Sequence, residues 1–391
     1  MKNGNLIPLV LSLLAGETVH AATLHVPGTH PTLDAAVAAA AAGDVIVVQG
    51  GVHPPVEIGV PLSLIGDPQF TIDNSSVFGA VPAVEPAVLL AGPGHGRVSI
   101  SRMTTSGQAD VFQFVGGQPL RVEAAIAGGG FDELLVLDST LEPCQWAVVD
   151  GGWEDGAPAI DVTVPDVLVA RTSVIGGHAI LTTCATGAPN VPTAVAAPGI
   201  RAPGSTVVVL DSDVAGGNGA AWCFGQLGAP CPSLPHPNVT GGAAGIVADL
   251  LLTAGSTLSG GAGSDVFCWP SSIIGAVPAG PAHVAGQVET LSGSFSAPGP
   301  IELGGTWSLD WAPADGYGVL FVAPPTPPTA AGPGWAFVDV GALAVVPIGG
   351  VTPPLGVPVP NQAALIGVEV AAQLYGAGAP LSRPFVGQVL P

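Results

Sequence analysis

The acidic residues Asp211 and Asp213 flank Ser212 in a stretch of alternating apolar and polar residues. Glycoside hydrolases use two carboxylates about 5 to 10 Å apart, and residues two apart on a strand lie about 7 Å apart on one face. Arg171 occupies the equivalent place one repeat earlier, as a candidate base or ion-pair partner. These three residues are therefore the candidate catalytic residues. The alternative is a solvated, partly paired surface, which we favour.

Three tryptophans could carry ligand binding instead. Trp222 precedes Cys223, Trp269 follows Cys268, and Trp146 lies two residues after Cys144 in an earlier repeat. Flat indole rings stack on sugar rings, so these residues are candidate glycan contacts. The alternative, which we favour, is that they cover disulfides and fill the packing of loops.

The cysteines are more typical of disulfides than of metal ligands, because the chain is predicted to be exported. The five cysteines are Cys144, Cys184, Cys223, Cys231 and Cys268. Cys223 and Cys231 are close enough in sequence for a bridge that closes one loop, and they are the candidate pair. The connectivity of the other three stays open, and the odd number leaves at least one without a partner in the chain.

One segment matches the calcium-binding nonapeptide of β-rolls, G-G-x-G-x-D-x-hydrophobic-x, at residues 260–268. Each calcium in such a roll is shared between successive turns, and the neighbouring nonapeptides do not match. The equivalent glycine pairs at Gly176 and Gly216 are not followed by the aspartate. We interpret the segment as a turn of a coil and predict no cofactor and no metal, with a calcium site as the less favoured alternative.

An internal repeat indicates the elements that position these residues. When the glycine pairs at Gly176, Gly216 and Gly260 are aligned, the preceding residues fall into one period-two register: Leu168/Ala170/Thr172/Val174, Val208/Leu210/Ser212/Val214 and Leu252/Ala254/Ser256/Leu258, with an earlier copy at Leu135/Leu137/Ser139/Leu141. Period two is typical of strands with one buried face. A repeat of this length indicates stacked coils. We expect these residues to point inward, with their hydroxyls in a ladder and the glycines in tight turns.

The N-terminal segment supplies a cap for such a stack. A short helix is predicted from Thr32 to Ala42, ended by Gly43, and is followed by several short strands. This order resembles the N-terminal cap of pectate-lyase-like parallel β-helix proteins. The matching residues are Thr32, Leu33, Ala36, Val37, Gly43, Asp44, Val48, Gly51, Val56, Ile58, Leu62, Leu64 and Gly66. The resemblance implies a right-handed parallel β-helix. His53 and Pro55 depart from the family pattern.

The repeat fades near residue 295, and the remainder reads as short strands separated by proline-rich loops. We predict a signal peptide over residues 1–21, a right-handed parallel β-helix with a short N-terminal capping helix over 22–297, and a small C-terminal β-sandwich-like domain over 298–391. The fold class is therefore all-β. The C-terminal end also resembles modules found on other secreted bacterial proteins.

The predicted signal peptide consists of Lys2, a short apolar stretch and the small-x-small site Val19-His20-Ala21. We therefore expect an exported protein, extracellular, at the cell surface or periplasmic, with no membrane span. The formal net charge is −21, and Lys2 is the one lysine. Nucleic acid is excluded as a partner because no cluster of basic residues exists to neutralise phosphates.

These observations predict an exported, non-enzymatic β-helix protein that acts as a structural, adhesive or glycan-binding scaffold. The alternative is a carbohydrate-active enzyme, a polysaccharide lyase or a glycoside hydrolase, acting on an extracellular polysaccharide. A groove lined by converging acids, an arginine and aromatic rings would favour the enzyme. A flat face with dispersed carboxylates would favour the scaffold.

Overall fold

The computed structural model describes residues 22–74, 85–106, 108–109, 123–143, 145–146, 153–154, 156–181, 195–219, 222–224, 241–263, 265–269, 272–276, 278–297, 299–312, 318–331, 334–339, 341, 343–349, 351, 353–376 and 381–391. The predicted signal peptide lies outside the described residues. The predicted all-β class is confirmed: a long curled parallel sheet follows one short helix near the N-terminus, and smaller sheets complete the chain.

The helix α1 (Leu33–Ala39) begins after Thr32, whose side-chain oxygen accepts a hydrogen bond from the Ala35 backbone N–H. This cap satisfies one of the donors that the first turn leaves open. Leu33 and Val37 are buried and close the end of the coil stack. The helix ends earlier than predicted, and Gly43 adopts a positive φ of 88° in the turn that follows.

The strands of the coiled part are β1 (Thr23–Val26), β2 (Asp44–His53), β3 (Val56–Ile58), β4 (Leu62–Asp73), β5 (Val88–Ala91), β6 (Arg97–Ser106), β7 (Gln108–Ala109), β8 (Ile126–Gly129), β9 (Glu133–Leu137), β10 (Thr140–Leu141), β11 (Gln145–Trp146), β12 (Trp153–Glu154), β13 (Ile160–Thr163), β14 (Asp166–Ala170), β15 (Ser173–Ile175), β16 (Ile180–Leu181), β17 (Ile200–Leu210), β18 (Asp213–Ala215), β19 (Trp222–Phe224), β20 (Ile246–Ala254), β21 (Thr257–Ser259), β22 (Asp265–Trp269), β23 (Ser272–Ala276) and β24 (His283–Thr290).

Successive coils stack in parallel register, so that strands of the long sheet fall into three rows. The first row contains β1, β9, β14, the first parts of β2, β4 and β6, and the last parts of β17, β20 and β24. We call its outer side the docked face. The second row runs from the end of β2 through β10, β15 and β18 to β21, and the third from β3 through β8 and β13 to β24.

The interior of the stack is one continuous apolar core, to which each coil contributes alternate residues. Val167, Val169, Val207 and Val209 of the first row are fully buried there. The third row contributes residues such as Ile160 and Ile200 to the same core. No single coil can bury these residues, because each covers its neighbour.

The predicted single inward register is wrong at the first two positions of each repeat. These residues point outward on the docked face: Leu135, Leu137, Leu168, Ala170, Val208, Leu210, Leu252 and Ala254. The cause is a residue in the left-handed conformation between the first and second rows, such as Arg171 at φ 49° or Asp211 at φ 47°. This corner shifts the alternation by one residue, so that Val174 and Val214 point inward again.

The predicted ladder of hydroxyl groups is confirmed directly after this corner. The Thr172 hydroxyl donates to the Ala170 carbonyl at 2.9 Å and accepts the Ser139 N–H at 3.2 Å. The Ser212 hydroxyl likewise accepts the Thr172 N–H, and the Ser256 hydroxyl accepts the Ser212 N–H. The side chains thus satisfy backbone groups that the turn removes from the strand pairing.

The glycine pairs have a different role from the predicted one, because none of their residues has a positive φ. They allow backbones to approach closely: a Cβ atom on Gly217 would lie 1.8 Å from the carbonyl oxygen of Gly177. Gly217 donates to Ala197, which donates to Gly177, which donates to Ala157. Segments that follow the second row therefore alternate with segments that precede the third row, and backbone hydrogen bonds join them. We call this arrangement the glycine seam; it consists of residues 156–157, 176–177, 196–197, 216–217, 242–243 and 260–261.

The C-terminal part contains β25 (Ser294–Ser296), β26 (Ile301–Glu302), β27 (Thr306–Ala312), β28 (Val319–Ala323), β29 (Pro325–Ala331), β30 (Gly334–Val338), β31 (Ala344–Pro347), β32 (Leu355–Pro358), a short 3₁₀ helix (Ala363–Leu365), β33 (Glu369–Tyr375) and β34 (Phe385–Leu390). A sheet in the order β25-β27-β32 and one in the order β26-β34-β33-β28-β31 enclose a shared core that includes Trp307, Leu320 and Val389.

The larger of these two sheets lies on the docked face of the β-helix. Alternate residues of β33 and β34 enter the sandwich core, and those between them face the coils. Ala371 and Val386 belong to one cluster with the outward residues of the later coils, and Leu390 contacts Val45, Val47 and Ile65 at the cap end. The docked face of the β-helix and the outer face of the larger sandwich sheet thus bury each other.

Among the described residues, no helix is both long and apolar enough to cross a membrane.

Candidate functional site

The corner between the first and second rows carries a column of charged side chains on successive coils: Arg102, Asp138, Arg171 and Asp211. All four have a positive φ, which places their side chains along one edge of the docked face. The signs of the charges alternate along the column, and Asp138 and Arg171 form an ion pair between neighbouring coils. Gly255 takes the same place in the next coil.

The predicted ion pair of Arg171 with Asp211 or Asp213 is not formed, because Arg171 pairs with Asp138 instead, and the catalytic role of these residues stays a prediction. Arg171 Nε donates to Asp138 Oδ1 at 2.7 Å and Nη2 donates to Asp138 Oδ2 at 3.0 Å, on the coil before. Its Nη1 donates to the Val386 carbonyl of the sandwich at 2.9 Å, and its guanidinium lies 5.0 Å from the centre of the Phe385 ring. This cation–π contact and the bidentate pair fix Arg171 between the coil and the sandwich.

Asp211 pairs with the sandwich rather than with Arg171. Arg383 Nη1 donates to Asp211 Oδ1 at 2.7 Å, and Arg383 Nε donates to the Phe295 carbonyl at 2.7 Å. A Cβ atom on Gly255 would lie 2.2 Å from both Arg383 Nη1 and Asp211 Oδ1, so the glycine makes room for this pair. Asp213 begins β18 on the second row and is exposed. The two carboxylates are therefore separated by the corner and do not share a face.

A second ion-pair cluster ties the early coils to the sandwich. Arg97 pairs with Glu133 of the next coil and with Glu369 of β33, to which Nη1 donates at 2.6 Å, and Nη2 donates to the Pro325 carbonyl at 2.7 Å. Burial alone would lower the pKa of Arg97, but attraction to Glu369 and Glu133 raises it overall. The pKa of Glu133 is raised overall, mainly by burial, with repulsion from Glu369 and Asp166 adding to the rise and Arg97 opposing it. A cavity of about 320 Å³ adjoins Arg97 and Glu369.

Polar residues also match across the docked face near the cap. The outward positions of β6 are Ser99 and Ser101, both buried, where later coils carry Leu, Val or Ala. Gln388 of β34 accepts a hydrogen bond from the Ser101 hydroxyl, and its amide nitrogen donates to Ser99 at 3.3 Å and to the Gly367 carbonyl at 3.2 Å. These bonds satisfy the polar groups that docking buries.

A cleft of about 270 Å³ opens where the last coil meets the sandwich. Glu289, Thr290 and Ser292 line one side, and Trp335 and Ser382 line the other. The Trp335 indole N–H donates to the Glu289 carboxylate. The fully buried Gln373 holds the cleft wall, because its amide nitrogen donates to the Trp335 carbonyl at 2.9 Å and to the Ser382 carbonyl at 3.0 Å. An indole, a carboxylate and hydroxyl groups around one cleft match the chemistry of sugar binding.

Sequence reasoning missed this cleft, since its walls come from segments about forty residues or more apart. Trp335 and Glu289 lie outside the repeat alignment and carry no motif. A usable signal was the position of Trp335 directly after a proline-rich segment in a chain with few aromatic residues.

The candidate tryptophans lie on strands that leave the coil. β11 pairs with β7, so that Trp146 lies opposite Ala109, and β19 pairs with β22, so that Trp222 lies opposite Phe267 and Trp269 opposite Phe224. Trp222 and Trp269 are therefore not at equivalent positions, although Cys223 lies opposite Cys268. The structure does not describe the side chains of these strands. The role of the three tryptophans in glycan binding therefore stays a prediction.

The candidate disulfide also stays a prediction, because Cys231, Cys144 and Cys184 lie outside the described residues. In the nonapeptide, Gly260 and Gly261 belong to the glycine seam, and Asp265 begins β22, which pairs antiparallel with β23. Within the described part of the chain, no group of three or more His, Cys, Asp or Glu side chains is arranged to hold a metal ion.

Comparison with protein-family models, with curated proteins and with solved structures finds no match to this chain. The proposed function therefore depends on the sequence and the geometry of this chain.

Proposed function

We propose that this chain is an exported, non-enzymatic scaffold, in which the β-helix is a rigid rod and the C-terminal sandwich is fastened along it. The observation that carries this proposal is the docked face. The residues with catalytic potential on it, Arg171 and Asp211, are engaged in contacts that join coil to coil or coil to sandwich. The pectate-lyase-like pattern of the N-terminal cap and the predicted signal peptide support an extracellular or cell-surface location.

The enzyme alternative has a direct test. Purified protein is incubated with a panel of uronate polymers, and the absorbance of unsaturated products is followed. Hydrolysis is measured on the same panel as the release of reducing ends. The scaffold proposal expects neither product above a heat-denatured control. Product formation that Asp213→Asn or Asp211→Asn abolishes would overturn the proposal, provided that each variant retains the wild-type circular dichroism spectrum.

A second candidate function, glycan binding, is favoured by the cleft between the last coil and the sandwich. Its indole and its carboxylate are fixed in place by Gln373 and by each other, which lowers the entropic cost of binding. A glycan of an extracellular polysaccharide would place one sugar in this cleft. A sugar face would contact Trp335, and hydroxyl groups would bond to Glu289, Thr290 and Ser292.

A glycan array identifies any ligand, and titration of the best ligand with cleft variants tests the location. Trp335→Ala is expected to weaken binding at least about fivefold, since stacking on one aromatic ring is worth about 1 kcal/mol or more. Tyr375→Ala removes another exposed aromatic ring, outside the cleft, and is expected to bind as the wild type does. Equal binding by both variants would remove the cleft as the site. No binding on the array would leave the structural role alone.

A further inference from the structure

Asp44 has an unusual environment at the start of β2. Its side chain is buried, with an exposed fraction of 7%. One carboxylate oxygen, Oδ2, accepts the Ala41 backbone N–H at 2.8 Å, and the other, Oδ1, accepts the Ala22 backbone N–H at 2.8 Å. The carboxylate therefore bridges the end of the capping helix and the first described residue of the chain.

Within the described residues, no cationic side chain forms an ion pair with this carboxylate. The ion pairs among the described residues involve Arg97, Arg102, Arg171, Arg201 and Arg383, and none of them includes Asp44. A buried carboxylate without a countercharge destabilises a fold, even when it accepts backbone hydrogen bonds. The position of Asp44 thus suggests that a cation is supplied from elsewhere in the chain.

The backbone fixes Ala22 at this carboxylate. The Ala22 carbonyl accepts the Val45 N–H at 2.9 Å, and β1 then pairs with β2 from Thr23 opposite Val45 onward. The nitrogen of Ala22 is accordingly held in place by the edge of the parallel sheet. The sequence before it ends in Val19-His20-Ala21, the small-x-small pattern after which export peptidases cut.

We propose that the chain is cut between Ala21 and Ala22 during export, and that the new α-ammonium of Ala22 forms a buried ion pair with Asp44. This inference rests on the proposed export. An export peptidase supplies the catalysis and water is the co-reactant: the Ala21–Ala22 peptide bond breaks, Ala21 takes a carboxylate, and Ala22 takes an amine that is protonated at neutral pH. Processing therefore completes the cap, because it replaces a neutral N–H donor with a positive charge.

Two purified chains test the pairing without any need for export. One begins at Ala22 and the other begins at His20, which moves the terminal ammonium away from Asp44. Asp44→Asn, which keeps one oxygen acceptor, is made in both. Asp44→Asn is expected to lower the ratio of folded to unfolded protein in both chains. The decrease is expected to be about five times larger in the chain that begins at Ala22, because only there does the substitution remove a charge-assisted hydrogen bond. Equal losses in both chains would overturn the pairing.

A second measurement needs no substitution and covers the case in which Asp44→Asn does not fold. Nα-acetylation of the chain that begins at Ala22 removes the charge and keeps the N–H donor. The acetylated protein is expected to unfold at a lower denaturant concentration than the free amine, and unchanged unfolding would contradict the ion pair.

Export is tested separately. Full-length chain is produced in a bacterium, and the first residue of the exported protein is determined by N-terminal sequencing. Ala22 is expected. Another first residue would overturn the cleavage position. Failure of export would refute the proposed localisation, whereas the pairing measured on the two purified chains would stand or fall on its own.

Discussion

The guanidinium of Arg383 lies between the Asp211 carboxylate of the β-helix and the Phe295 carbonyl of the sandwich, 2.7 Å from each. The exposed fractions of the two side chains are 15% for Arg383 and 39% for Asp211. The side chain of Arg383, which precedes β34, therefore joins a coil corner to β25 of the C-terminal part. It does so at the position where the sequence suggested a catalytic acid.

Arg383→Met tests whether this contact fastens the sandwich. The substitution keeps the apolar stem and removes two hydrogen bonds, so we expect a loss of about 1 to 2 kcal/mol in the free energy of unfolding, measured by urea denaturation. This expected loss is small for hydrogen bonds to a charged group, because water partly screens the charge of Asp211. Arg201→Gln is the matched control. It breaks the pair with Asp161, in which Arg201 is 52% exposed, and is expected to cost less than about 1 kcal/mol. A larger loss for Arg201→Gln than for Arg383→Met would contradict the docking role.

The neighbouring residues Val209 and Leu210 separate the two cores. Val209→Asp places a charge inside the coil stack and is expected to cost more than about 4 kcal/mol and to abolish the folded protein. Leu210→Asp places it between coil and sandwich, so the β-helix is expected to remain folded while docking weakens by about 2 kcal/mol or more. Limited proteolysis distinguishes them, because the second variant should release the C-terminal part from an intact β-helix. Complete digestion of both variants would show that the two cores are not separable.

Gly217→Ala tests the glycine seam. The added methyl group would meet the Gly177 carbonyl oxygen at 1.8 Å, and backbone atoms on both sides leave no room to relax. We expect a loss of about 3 kcal/mol or more, seen as a lower denaturation midpoint. Gly318→Ala is the control, since no atom lies within 4 Å of its added carbon, and it should change stability by less than about 0.5 kcal/mol. Similar midpoints for the two variants would contradict the close approach.

His178 makes the stack sensitive to acid. Its Nδ1 accepts the Asn218 N–H of the next coil at 2.8 Å, which requires the neutral ring. Burial lowers the pKa of His178 below its ordinary value of about 6.5, against a smaller opposing effect of Glu142. The neutral ring is therefore favoured in the folded state. The stabilisation of the fold by neutral His178 is therefore fully present above about pH 6.5, and it is lost as the pH falls through the lowered pKa of the folded state.

His178→Asn should remove this acid-sensitive component and keep the hydrogen bond, because Asn218 already bonds in the same way to Ala262 in the next coil. The measurement is the melting temperature from pH 8 to pH 5. We expect the difference between the wild type and the variant to shift in favour of the variant below about pH 6.5. A difference that is constant across this range would show that His178 does not titrate on unfolding.

The sequence by itself determined the class of fold and the period of the coils. The glycine pairs, the hydroxyl ladder at Thr172 and Ser212, and the cap around Thr32 are local patterns, since each repeats or caps within a few residues. Stacking coils convert such local regularity directly into structure, because equivalent residues meet their own counterparts.

The tertiary structure decided which side of each strand is interior. A single left-handed residue, such as Arg171 or Asp211, reverses the alternation, and an arginine within a strand pattern gives no sign of a positive φ. Both sides of β14 and β17 are also apolar, since one faces the coil interior and the other faces the sandwich. The partners of Arg171, Asp211 and Glu289 come from segments far away in the chain. Periodicity has no information about such contacts, so the docked face and its cleft emerge only when the C-terminal sheet folds back onto the β-helix.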